Sequence, residues 1–98
     1  MQFLVIGKPQ QAFLGSNPPT DLKEALEGEL AKSREYYGAG HLRNIWLIAG
    51  HKGAAALFEA ESQEAVQKLI DDLPMVKKEY VKHEIFPLEP YVGFQKSI

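Results

Sequence analysis

Cysteine is absent from this chain, which removes both a disulfide framework and any thiolate metal site. That absence agrees with a reducing compartment, and a cytoplasmic protein is expected. No apolar run approaches membrane-spanning length, and Phe3 to Ile6 is too short for the apolar region of a signal peptide, so no membrane partner is expected. Positive charge is not in excess either. Eleven Lys and Arg against 13 Asp and Glu leave a formal net charge of −2, which argues against binding to nucleic-acid backbones. The one basic cluster, Lys77, Lys78 and Lys82 around Tyr80, is interrupted by Glu79 and Glu84 and reads as a solvated strand edge. Phe58 lacks the basic-glycine-aromatic surroundings of an RNA-recognition strand. There is no glycine-rich phosphate loop, nucleophile elbow or dinucleotide fingerprint. Three histidines without close ligand spacing make a poor zinc site, and no metal or other cofactor is expected.

What is present suffices for one globular domain, residues 1–98, with 45% hydrophobic content. The order of elements reads β-α-β-β-α-β. Gln2 to Lys8 forms the first strand, apolar on both faces. A loop from Pro9 to Pro19 follows, rich in residues that oppose regular structure and long for so small a domain. Thr20 is the expected cap of the first helix, whose core stripe is Leu22, Leu26 and Leu30, with Ala25 and Tyr37. Gly28 within it implies either a close backbone approach or tolerance on an exposed face, the latter being preferred. Leu42 to Gly50 is a strand, Gly50-His51-Lys52-Gly53 a tight turn, and Ala54 to Ala60 the returning strand. Ser62 caps a helix with Val66, Leu69, Ile70 and Leu73 at helical spacing, which Pro74 ends. The last strand runs from about Glu79 to Phe86 before Pro87 and Pro90. The apolar tail, with Leu88, Tyr91, Val92 and Phe94, is expected to dock.

Two β-α-β halves joined by right-handed crossovers place both helices on one face of a four-stranded antiparallel sheet, an α+β, ferredoxin-like sandwich. The other face is then bare. Trp46, Ile48 and one set from Phe3 to Ile6 make it apolar, and self-pairing is the economical way to cover it. The small side chains of Ala54-Ala55-Ala56 either leave room for a ligand or permit close helix packing.

Trp46-Leu47-Ile48-Ala49-Gly50-His51, followed by Phe58, Ser62 and Leu73-Pro74, closely resembles muconolactone Δ-isomerases and the proteins grouped with them. Met1 to Val5 resembles that family's opening strand, Glu27 to Ala31 part of its first helix, and His83 to Leu88 its closing strand. The resemblance implies a dimeric α+β barrel, a homodimer sometimes assembled into larger rings. It also implies proton-transfer isomerisation of a small unsaturated lactone or related carbonyl compound, as against a non-enzymatic binding or interaction module on the same barrel.

A lactone double-bond isomerase removes an acidic proton next to a carbonyl and returns one elsewhere. It needs a base and a donor or cation near the oxygen where negative charge develops, and no metal. The resemblance implies a lysine and a glutamate close together on the first helix. Glu27 matches the family's glutamate, and Lys23 stands four residues before it on the same helical face, although the family's lysine falls on Glu24 in the same register. A surface ion pair is the competing interpretation of Lys23 and Glu27. His51 matches a family histidine and has a suitable proton affinity; otherwise it is a turn residue bonded to local backbone. Arg43 suits a substrate carboxylate, as an acidic lactone requires, or covers the sheet rim. Trp46 and Tyr37 complete the candidate substrate-binding set, with Tyr36 and Tyr37 not told apart by sequence.

Overall fold

The structure, a computed structural model, describes residues 1–10 and 18–94. Residues 11–17 of the expected loop and 95–98 of the tail lie outside the described residues. The strands are β1 (Gln2–Pro9), β2 (Leu42–Ile48), β3 (Gly53–Glu59) and β4 (Val81–Leu88). The helices are α1 (Leu22–Gly38) between β1 and β2, and α2 (Gln63–Asp71) with the short α3 (Pro74–Lys77) between β3 and β4. All strand pairs are antiparallel, in the order β2-β3-β1-β4. This is the expected ferredoxin-like sheet, with α3 as an addition: Pro74 does not simply end a helix but opens the next one, where its missing N–H costs nothing.

Register decides which side chains meet. Phe3 lies opposite Phe58 and Pro87, Val5 opposite Ala56 and Ile85, and Gly7 opposite Ala54 and His83. Directly opposed residues share a face, so these form the helix side of the sheet. There Phe3, Val5 and Phe58 pack against Tyr36 of α1 and Val66 and Ile70 of α2. Complete burial of Phe3 contributes roughly 2–3 kcal/mol. Ser62 caps α2 as expected: its hydroxyl accepts from the Ala65 N–H at 3.1 Å, an interaction of about 1 kcal/mol.

Several local expectations are corrected. The residue before α1 is Asp21 rather than Thr20, and its carboxylate does not cap the helix; it accepts from the Tyr80 hydroxyl at 2.6 Å and pairs with Lys78. The inward residues of α1 are Ala25 and Tyr36, whereas Leu26 and Leu30 are 40% and 57% exposed and Tyr37 is exposed. Gly28 is a place of close approach, since a Cβ there would stand 3.1 Å from the Pro74 ring. Pro87 lies within β4 rather than beyond it. The strand order puts β4 at an edge, where proline's missing donor breaks no ladder. In β2 the register shifts between Leu42 and Asn44, leaving Arg43 as an extra residue. The bulge turns Leu42 and Ile45 to the same face, so Arg43 does not share Ile45's place in an unbroken alternation.

Candidate active site

A cavity of about 340 Å³ lies between α1, α3 and the helix side of the sheet. Its volume originates in the sheet. Ala54, opposite Gly7, and Ala56, opposite Val5, stand where larger residues would reach into this space. The alanine run therefore makes room, with Ala54 and Ala56 lining the cavity and Ala55 turned to the opposite face. Val5, Phe58, Tyr36 and Ile70 form buried walls. Leu26 and Leu30 of α1 and Ile45 and Leu47 of β2 form an exposed rim, Leu47 being 88% accessible. That explains the exposed leucines of α1: they flank an opening rather than fill a core.

Among the described residues, Glu29, Ser33, His51 and His83 line this largely apolar space beside Tyr36. Glu29 follows Ala25 by one helical turn and so points to the same side of α1. Its Oε1 accepts the Met75 N–H at 3.0 Å, satisfying a donor at the start of α3. Burial pushes the Glu29 carboxyl above the ordinary glutamate value, and the bond from Met75 opposes part of that rise. His83 comes from β4, opposite Gly7, and its imidazole fills the place a side chain on Gly7 would take: Nε2 would lie 2.7 Å from a Cβ there. Its Nδ1 is buried with no hydrogen-bond partner among the described residues. Burial holds this histidine below the ordinary imidazole value, as a neutral ring.

His51 reaches the cavity through an unusual backbone. Gly50, His51 and Gly53 all have positive φ, at 82°, 59° and 120°. Gly53 cannot be replaced, because a Cβ there would overlap the Gly7 carbonyl oxygen at 1.9 Å. The left-handed conformation of His51 costs roughly 1 kcal/mol and brings this exposed residue to the edge of the cavity. Of the six side chains singled out from sequence, His51 alone lines the cavity. Lys23 and Glu27 are exposed on α1, away from Ala25 and Tyr36. Arg43 sits at the bulge, Tyr37 is exposed, and Trp46 points to the other face of the sheet, opposite Ala55. Tyr36, not Tyr37, is the inward tyrosine, and its hydroxyl donates to the Leu69 carbonyl at 2.6 Å.

Polar ties hold α1 over the cavity. Besides the bonds from Met75 and Tyr36, Lys32 pairs with Asp72 at 2.9 Å and with Glu35 at 3.2 Å, and Lys77 pairs with Asp72 at 3.1 Å. The two lysines keep the Asp72 carboxyl below its ordinary value, and Lys78 with Tyr80 does the same for Asp21. Lys77 and Lys78 are thus engaged with carboxylates. Among the described residues, no three His, Asp or Glu side chains converge as a metal site, and no helix is long and apolar enough to cross a membrane.

The two cavity groups affect stability in opposite directions. Below pH 6.5 the unfolded chain protonates His83 while the folded chain resists, so stability from this residue is full above that pH and declines as pH falls. Glu29 is protonated at higher pH in the folded chain than in the unfolded one, so stability is gained as pH falls through its raised value. His83→Leu is expected to flatten the loss of stability just below pH 6.5, measured as the urea midpoint against pH. An unchanged slope would assign that loss to other groups.

Residues 1–93 match the family model of muconolactone delta-isomerase. The muconolactone Delta-isomerase of Acinetobacter baylyi is 32% identical over 71 residues, covering 71% of this chain and 72% of that protein. A solved muconolactone isomerase superposes with a TM-score of 0.78 at 22% identity, covering 94% of this chain and 92% of the other. The 5-chloro-2-hydroxyhydroquinone dehydrochlorinase of Burkholderia phenoliruptrix, in complex with 2,5-dihydroxybenzoquinone, superposes with a TM-score of 0.64 at 18% identity, covering 93% and 96%. The two superpositions agree with the fold, and the sequence matches carry descent: this chain belongs to the muconolactone Δ-isomerase family.

Proposed function

We propose that the protein is a cofactor-independent isomerase that moves the double bond of a small unsaturated lactone, or a related conjugated ring carbonyl compound, within the cavity under α1. The supporting observation is a carboxyl group of raised proton affinity, Glu29, in an apolar space lined also by the buried His83 and, at its edge, His51. In this mechanism the Glu29 carboxylate removes a proton from a carbon made acidic by the conjugated carbonyl. The electron pair passes into a dienolate, whose oxygen takes a hydrogen bond from His83 or His51. The carboxylic acid then returns a proton to another carbon of the same conjugated system, which leaves the double bond shifted and the atom count unchanged. Glu29 is preferred to Glu27 as the base because Glu27 is exposed and lies outside the cavity lining. In deuterated water a γ-substituted butenolide is expected to shift its double bond and acquire deuterium, followed by proton NMR. Binding without any shift above the uncatalysed rate would instead favour a small-molecule-binding module.

A second copy of the chain is the proposed cover for the outer sheet face, which accords with the dimeric barrel expected from the family. Trp46 and Phe86 are 52% and 42% exposed there, on the face that also carries half-buried Leu4, Ile6 and Leu57. Tyr91 and Val92 of the tail are exposed too. Sedimentation at micromolar concentration is expected to give a dimer or larger assembly, and Trp46→Glu to shift it towards monomer. A wild-type monomer under those conditions would rule this assembly out.

A further inference from the structure

We propose that His83 holds the ring carbonyl of the ligand by donating to its oxygen from Nε2, and that Gly7 lacks a side chain so that this imidazole can be seated over it. His83 lines the sheet side of the cavity from β4, directly opposite Gly7 of β1. The Nε2–Cδ2 edge of the ring leans on Gly7: a Cβ there would stand 2.7 Å from Nε2 and 2.9 Å from Cδ2. Gly7 does not have a positive φ, so the backbone does not demand glycine at this place. A strand interior is otherwise weakened by glycine, which commonly marks a close approach.

The two ring nitrogens differ. Nδ1 is buried and has no hydrogen-bond partner among the described residues. A proton on Nδ1 would have no acceptor there, whereas a proton on Nε2 can be received by a ligand oxygen in the cavity. The neutral ring that burial maintains therefore carries its proton on Nε2, as a donor already in place when the ligand arrives. Glu29 occupies the helix wall of the same cavity. A conjugated ring between the two walls presents its acidic carbon to Glu29 and its carbonyl oxygen to His83. His51 is less suited, being an exposed residue at the edge, where water competes for the same oxygen. The choice of His83 over His51 rests on the proposed function for the ring carbonyl itself.

Nitrogen NMR of the imidazoles and a double-mutant cycle, both on the full-length protein, test the assignment. In the wild type, Nε2 of His83 is expected to be the protonated nitrogen. Its proton is expected to move downfield with γ-carboxymethylbutenolide but not with the dihydrofuran analogue that lacks the ring carbonyl. His83→Ala is expected to lower kcat for the double-bond shift by roughly 10²-fold or more, with a smaller change in KM, as for a donor to developing negative charge. Gly7→Ala, which pushes the ring from its seat, is expected to lower kcat by roughly 10-fold alone and by less than about 2-fold beside His83→Ala. The wild-type spectra decide the hydrogen bond whether or not a variant folds. A proton on Nδ1, an unmoved Nε2 proton in the lactone complex, additive losses for the two substitutions, or no binding of the lactone overturns the assignment. A lactone that binds and moves that proton without any double-bond shift sustains the His83 contact while defeating the isomerase mechanism, so the two failures are distinguishable.

Discussion

Glu29→Gln is expected to lower kcat/KM for butenolide isomerisation, and deuterium exchange with it, by roughly 10²- to 10⁴-fold, the usual contribution of a general base. The substitution is chosen because it preserves shape. A glutamine oxygen can still accept the Met75 N–H, so the start of α3 keeps its partner. An ionisable group is removed from an apolar setting, so stability to urea is expected to hold or rise near neutral pH. Loss of activity in a folded protein is then chemical in origin. Glu27→Gln is expected to change kcat/KM by less than about 3-fold, as for an exposed residue without a role in the reaction. In the wild type, kcat/KM is expected to fall on the acid side with a pKa above the ordinary glutamate value of 4.5, since protonation removes the base. The converse mutant pattern, an inactive Glu27→Gln beside an active Glu29→Gln, would move the chemistry to the outward face of α1 and so to a site completed by another copy.

Ala54→Leu is expected to weaken ligand binding by about 100-fold while leaving stability unchanged or raising it by about 0.5–2 kcal/mol. Overpacking normally costs stability because a core has no space to give. Ala54 borders an existing cavity, so a larger side chain there can bury apolar surface without displacing its neighbours. Stability and binding should therefore change in opposite senses, read by urea titration and by calorimetry on the same sample. If stability dropped by several kcal/mol and binding persisted, the alanine would be serving helix packing instead.

The β-α-β-β-α-β order was legible because each element has its own local signal: β-rich segments around a glycine turn, helical spacing after Ser62, and apolar first and last strands. The facing of α1 was not. Leu22, Leu26 and Leu30 form a regular i, i+4, i+8 series that reads as a core stripe, yet a helix laid over a cavity turns small and polar residues inward and leaves leucines at the opening. Glu29 could have been found from Ala25 and Tyr36, which share its side of the helix, but nothing in the sequence ranks that stripe above the leucines. His83 needed the cross-strand register, because its pairing with Gly7 joins residues 76 positions apart. The bulge at Arg43 has no glycine to mark it, and the tolerance of Pro87 is evident only once β4 is known to be an edge.

Ala54 and Ala56 of β3 also bear on how such a protein diversifies. Capacity is written in these two small strand residues, while proton chemistry is contributed by α1, the turn and β4. The two properties can drift separately: a methyl group gained or lost at either alanine changes which ring is admitted and leaves the acid-base groups in place. A scaffold divided in this way can exchange substrates by single conservative replacements, without passing through a form that has lost its reactive side chains.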